Sequence, residues 1–268
     1  TINRARNASS IADFLDKAAE HYANKNAFSC GPMRLAYNEF AQQGDAFAAY
    51  LQSVGISKGD RVALMCPNLP AFPIATLGIL KAGAVQVNIN PLYTASELAH
   101  QLSETLIIFA GSTAAFAAIK ENCAIKHLIV VSLGDGTSMD ISSPPVDSAV
   151  TDYVGFSDAL TMGADIEFRP VTVGREDLAF LQYTGGTTGP SKGAMLTHNN
   201  VLSNIAQTYE MGPDITRETQ EVIITAIPMY HIFALTVNFL IYAGCGSHNI
   251  LITNPRDMDG FISTIKES

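Results

Sequence analysis

The tightest constraint on how this chain folds lies between residues 178 and 198. An apolar run, Leu178-Ala179-Phe180-Leu181, leads into Tyr183-Thr-Gly-Gly-Thr-Thr-Gly-Pro-Ser-Lys-Gly-Ala-Met-Leu-Thr-His198, and a second apolar run leads away. Gly185, Gly186, Gly189 and Gly193 let the backbone turn sharply and expose its N–H groups. A concave row of N–H donors is an anion site. Thr184, Thr187 and Thr188 add hydroxyls, and Lys192 adds a positive charge. Two familiar phosphate loops do not fit. The Walker loop places Gly directly before its Lys and Ser or Thr directly after it; here Ser191 precedes Lys192 and Gly193 follows. The dinucleotide fingerprint G-x-G-x-x-G is absent from this loop.

Around the loop, strand and helix signals alternate. Ser10-Ile-Ala-Asp13 has the form of a capping box and opens a helix to about Tyr22. A helix is expected over 37–54, a strand over 61–66, and a buried helix over 71–82 that stops at Gly83. Strands at 85–89, 106–110 and 127–131 alternate with helices, one of them across 95–104. After a Gly-, Asp-, Ser- and Pro-rich stretch at 133–148 comes a second series: strand 178–183, the glycine loop, a helix from about Asn199, strand 222–227, helix 232–243, strand 249–252 and helix 257–267. The expectation is an α/β fold of successive βα units forming mostly parallel sheets. The glycine loop then sits past the carboxyl end of a strand, where open α/β sheets bind ligands.

A chain of 268 residues buries about three quarters of its unfolded surface and corresponds to about two domains or subdomains. Apolar residues are 47% and charged residues 15% of the total, which excludes a disordered chain. The net charge of −9 argues against a nucleic-acid partner. Cys30, Cys66, Cys123 and Cys245 are scattered, with no C-x-x-C pair; they suit a reducing cytoplasm. No secretory signal is read at the start, and the longest apolar run, Ile232–Cys245, is too short to span a bilayer. Peripheral contact with the inner membrane face and a homodimer stay open.

A second group of residues with chemistry is Ala226-Ile-Pro-Met-Tyr-His231-Ile-Phe-Ala-Leu-Thr236. Pro228 stops the preceding strand, so Tyr230 and His231 lie at a strand exit, on the same edge as the glycine loop. A lone His in apolar company is more often a core residue. Beside this loop it becomes a site candidate.

Residues 181–192 resemble the AMP-binding signature of the adenylate-forming enzymes, with Pro190 one place early and Ser191 in the usual proline position. Pro228–Phe233 resembles that family's second core motif. Asn90-Pro-Leu-Tyr-Thr94 and Ile252-Thr-Asn-Pro-Arg-Asp257 look like bacterial long-chain fatty-acyl-CoA synthetases in particular. The resemblance covers nearly the whole chain and implies ATP-dependent activation of a long-chain fatty acid to an acyl-adenylate, then transfer to coenzyme A. It implies that Thr184, Gly185, Gly186, Thr187, Thr188 and Gly189 hold phosphates. Lys192 offsets charge on the departing pyrophosphate, and Thr184 supplies a hydroxyl to Mg²⁺. By the same resemblance His231 is expected to line the adenylate site, and Tyr230, Ile232 and Leu235 to shape the acyl channel or its gate.

Several parts that the resemblance calls for are not found. These are a Tyr-Gly-x-Thr-Glu stretch with the metal-binding Glu, a ribose-binding Asp, and a C-terminal domain with its catalytic Lys. The expectation is therefore an incomplete N-terminal domain, with a first α/β subdomain at 1–175, the start of a second at 176–268, and the C-terminal domain absent. By itself such a piece should fold in part, leave a sheet edge exposed and make essentially no acyl-CoA. Two alternatives are carried: an adenylating enzyme that loads a carrier protein, and a non-catalytic nucleotide-binding fragment.

Overall fold

The computed structural model describes residues 1–102, 107–110, 113–119, 125–137, 143, 145–184, 192–212, 214 and 216–268, with backbone alone at 107–110, 184 and 267. Its elements run α1 Ile2–Asn7, α2 Ile11–His21, β1 Asn26–Cys30, β2 Met33–Ala36, α3 Tyr37–Ser53, β3 Arg61–Met65, α4 Ala71–Lys81, β4 Val85–Asn88, α5 Ala95–Leu102, β5 Ile107–Ala110, α6 Ala114–Ala117 and β6 His127–Val130. Then come β7 Val154–Gly155, α7 Phe156–Ala164, β8 Leu178–Thr184, β9 Lys192–Thr197, α8 His198–Met211, β10 Val222–Thr225, a π-helix Ala234–Ile241, α9 Tyr242–Gly244, β11 His248–Leu251 and α10 Met258–Glu267.

Two sheets result. The larger has seven strands in the order β7-β6-β5-β3-β4-β8-β9, and the smaller has four in the order β10-β11-β1-β2. All neighbours are parallel except β8–β9 and β1–β2. The α/β fold is as expected; the two antiparallel pairs are hairpins that the alternation of strands and helices concealed. Both sheets draw strands from either side of residue 175, so the sheets do not follow the chain division expected there. β9 closes one edge of the larger sheet, and its first four residues, Lys192–Met195, are exposed.

Alternation along β3 explains how the larger sheet is covered on both faces. Val62 and Leu64 join the main core, whereas Ala63 and Met65 join a second cluster with Val85, Val87, Leu98 and Leu102. α3 touches β1 and β2, α4 touches β3 and β4, and the two helices pack on each other, so they form the layer between the sheets. That position buries α4 from Ala71 to Leu80, as a helix apolar on every face requires. Their close approach depends on Gly78, where a Cβ would lie 2.7 Å from the Phe47 ring and 3.0 Å from the Gly44 carbonyl.

Some local expectations need correction. Ser10 caps α2, its hydroxyl accepting from the Asp13 N–H at 3.1 Å, but Asp13 accepts from Ser9 rather than closing the reciprocal box. The helix expected at 232–243 is a π-helix followed by the short α9. There the side chain of Asn249 donates to the Asn238 carbonyl at 2.6 Å, a lateral partner that regular α-helical bonding does not need. Cys30, Cys66 and Cys245 are free and buried. Among the described residues no helix is long and apolar enough to cross a membrane.

His198, which ends the glycine-rich stretch, is buried and structural. Its Nδ1 accepts from the Ile11 N–H at 3.0 Å, tying α8 to α2. Burial pushes its pKa down to about 4; nearby Asp177 pulls it up and Lys58 pushes it further down. The unfolded chain therefore binds this proton more readily than the folded one. The stabilisation is complete above the ordinary pKa of 6.5 and is lost as pH falls toward about 4. His198 alone should cost about 2 kcal/mol of stability by pH 5. Denaturant unfolding between pH 7.5 and 4.5 measures this loss, and a His198→Asn variant should show a flatter profile.

Candidate functional site

The carboxyl ends of β3, β4 and β8 open on one edge of the larger sheet, because these strands run parallel and adjacent. β8 leads into the glycine loop and β9 returns from it. The antiparallel register places Thr184 directly opposite Lys192, so this pair closes the hairpin at the base of residues 185–191. Lys192 is exposed. Gly185, Gly186, Thr187, Thr188 and Gly189 lie outside the described residues, as does the side chain of Thr184. One pair earlier, Gly193 faces Tyr183; a Cβ on Gly193 would come within 3.3 Å of the Tyr183 ring, which lies over it. A side chain at this position would press on that ring.

Tyr230 and His231 follow β10 in a tight turn, with the His231 N–H donating to the Pro228 carbonyl at 3.0 Å. His231 is exposed, and its Nδ1 accepts from the Phe233 N–H at 3.3 Å. Tyr230 is half-buried; burial, then the neighbouring Tyr93, raises its phenol pKa. Ile232 is partly buried against the main core. Leu235 is fully buried within that core, in the π-helix.

The other segments singled out from the sequence converge here. A cavity of about 410 Å³ is lined by Pro67, Asn68, Pro91, Leu92, Ala226, Pro228, Tyr230 and residues 252–256. It thus joins the exits of β3, β4, β10 and β11, bringing together parts of the 90–94, 226–236 and 252–257 segments. A second cavity, about 310 Å³, shares no lining residue with it and lies where α2 meets residues 168–173, beside the Lys81–Asp16 ion pair.

Two groups of buried amides also shape this edge. Asn68 donates to the carbonyls of Thr225 and Ile227, each at 3.0 Å, and accepts from the Met229 N–H at 2.8 Å. It clasps the whole exit of β10. The second group is a chain. Gln86 donates to Asn88 at 2.7 Å, Asn88 donates to Gln182 at 2.9 Å, and Gln182 donates to the Tyr230 carbonyl at 3.1 Å. The sequence carries a signal for it: Gln86, Asn88 and Gln182 interrupt strands that are otherwise apolar, and buried polar groups need partners. Among the described residues no cluster of His, Cys, Asp and Glu could hold a metal ion.

The AMP-binding enzyme family model matches residues 15–268. A long-chain-fatty-acid–CoA ligase of Salmonella typhimurium is 40% identical over 272 residues, covering 96% of this chain and 48% of the ligase. Among solved structures, an anthranilate CoA ligase in complex with anthranoyl-AMP superposes with a TM-score of 0.79 at 21% identity, covering 96% of this chain and 47% of that one. A long-chain-fatty-acid-CoA ligase from Archaeoglobus fulgidus superposes with a TM-score of 0.74 at 24% identity, covering 92% and 47%. The chain spans about half the length of the curated relatives it matches. It belongs to the AMP-binding enzyme family.

Proposed function

We propose that this chain carries the phosphate-binding half of an ATP-dependent long-chain fatty-acid–CoA ligase. The observation that carries the reading is the β8–β9 hairpin. Its base pairs Thr184 with Lys192 at the carboxyl edge of a mostly parallel sheet, and Gln182 of the same strand bonds the turn that bears Tyr230 and His231. In the proposed reaction a carboxylate oxygen of the fatty acid attacks the α-phosphorus of ATP and pyrophosphate leaves. The thiol sulfur of coenzyme A then attacks the acyl carbon, losing its proton, and AMP leaves. We assign Gly185, Gly186, Thr187, Thr188 and Gly189 to the phosphates, and Lys192 to the charge that builds on pyrophosphate. Positioning and charge neutralisation dominate such displacements. Thr184 is the oxygen we assign to the Mg²⁺ that accompanies ATP, a hard cation that takes oxygen ligands. His231 borders the adenylate, and Tyr230, Ile232 and Leu235 border the acyl chain.

A long apolar substrate gives a graded expectation. Each buried methylene contributes about 0.8 kcal/mol, so kcat/KM should rise about fourfold per CH₂ until the channel is full. The product of the complete reading frame that encodes residues 1–268, assayed with ATP, Mg²⁺ and acids from acetate to palmitate, tests this. Equal activation of acetate and palmitate would contradict the long-chain reading. Offering coenzyme A or an acyl carrier protein as acceptor in the same assay separates the ligase from a carrier-loading enzyme.

A further inference from the structure

The amide chain has a direction, and one end of it dictates that direction. The Tyr230 carbonyl can only accept, so Gln182 must turn its NH₂ toward it. The Gln182 Oε1 therefore faces Asn88, which must present its own NH₂, and the Asn88 Oδ1 in turn faces the NH₂ of Gln86. The Gln86 Oε1 is left over at the far end, buried without a hydrogen-bond partner among the described residues. An orphaned buried acceptor is costly and calls for an explanation. All three side chains are buried, Gln86 completely. The chain starts on β4, crosses to β8 in the larger sheet, and ends on the turn that follows β10 of the smaller sheet.

From this polarity we infer that Gln182 is a positioning residue. It couples the strand entering the glycine loop to the Tyr230–His231 turn, with Asn88 and Gln86 orienting its amide. The inference rests on the proposed ligase reading for its catalytic consequence only. Gln182 lies two residues before Thr184, and its amide bonds the residue next to His231. Asn68 holds the turn to the exit of β3, whereas Gln182 bonds it to β8, the strand that enters the loop. Small misplacements of the turn relative to the loop lower the rate of a step governed by geometry while leaving ground-state binding largely unchanged.

The test uses Gln182→Met, close in shape but unable to hydrogen-bond, in the product of the complete reading frame. Gln182→Asn, one methylene too short to span both partners, stands in if the Met variant does not fold. Hydrogen–deuterium exchange of residues 226–233 should speed up by about tenfold, the scale of one lost buried hydrogen bond, while α8 stays unchanged. Palmitate-dependent pyrophosphate exchange should lose about 10- to 100-fold in kcat, with KM for ATP held within about twofold. Unchanged exchange at 226–233, an unchanged kcat, or a rise in KM alone overturns the inference. If the wild-type protein activates no fatty acid, the ligase reading fails. The hydrogen-exchange result then decides the coupling without it: faster exchange confined to the turn supports it, and no change overturns it.

Discussion

Replacing Lys192 with alanine should lower adenylate formation by about 10- to 1000-fold, the loss typical of removing one preorganised charge from a developing anion. The position of the residue explains why the loss should be catalytic rather than structural. Lys192 is exposed at the first residue of β9, opposite Thr184, so its backbone holds the hairpin register and its side chain is outside the core. Exposed substitutions away from caps and special backbone conformations change stability by about 0.5 kcal/mol or less. The unfolding midpoint should therefore stay near that of the wild type while pyrophosphate exchange collapses. An unchanged exchange rate would remove Lys192 from the mechanism.

Replacing Asn68 with alanine should act on stability and activity together. Its side chain satisfies the Thr225 and Ile227 carbonyls and the Met229 N–H, and its own carbonyl accepts from Thr253 at 3.0 Å. The truncation leaves the Ile227 carbonyl and the Met229 N–H without partners, while the Thr225 carbonyl keeps the Ile252 N–H at 3.0 Å. Each such group costs about 1–3 kcal/mol when it stays dry. Because Asn68 also lines the 410 Å³ cavity, water can enter and recover part of that loss. A net destabilisation of about 2–4 kcal/mol is expected, read by denaturant unfolding, together with a fall in adenylation because the same turn carries His231. A variant as stable and active as the wild type would show that the clasp is dispensable.

The sequence made the loop, the strand exits and the second motif legible because each depends on local chemistry. Glycine, threonine and lysine at fixed spacing mark the loop, and Pro228 marks a strand end. Most of the expected strands and helices of both series appear within a residue or two of where periodicity places them. What stayed hidden depends on distant pairing. The β1–β2 hairpin joins β11, some 200 residues away along the chain, and β9 turns back on β8 instead of continuing as a parallel unit. The π-helix at 234–241 looks like an ordinary apolar helix until Asn249 is brought beside Asn238. Gln86, Asn88 and Gln182 read as polar interruptions in apolar strands. Only the β4–β8 pairing, which sets Asn88 opposite Gln182, turns them into one network. Leu235, placed at the acyl channel by the resemblance, is fully buried in the main core.

The most direct measurement is ATP–pyrophosphate exchange by the product of the complete reading frame, in the presence of Mg²⁺ and with and without palmitate. Exchange should require palmitate, proceed without coenzyme A, and give palmitoyl-CoA and AMP once coenzyme A is added. Exchange that ignores palmitate, or no exchange with any fatty acid under conditions where the protein is folded, would contradict the ligase reading.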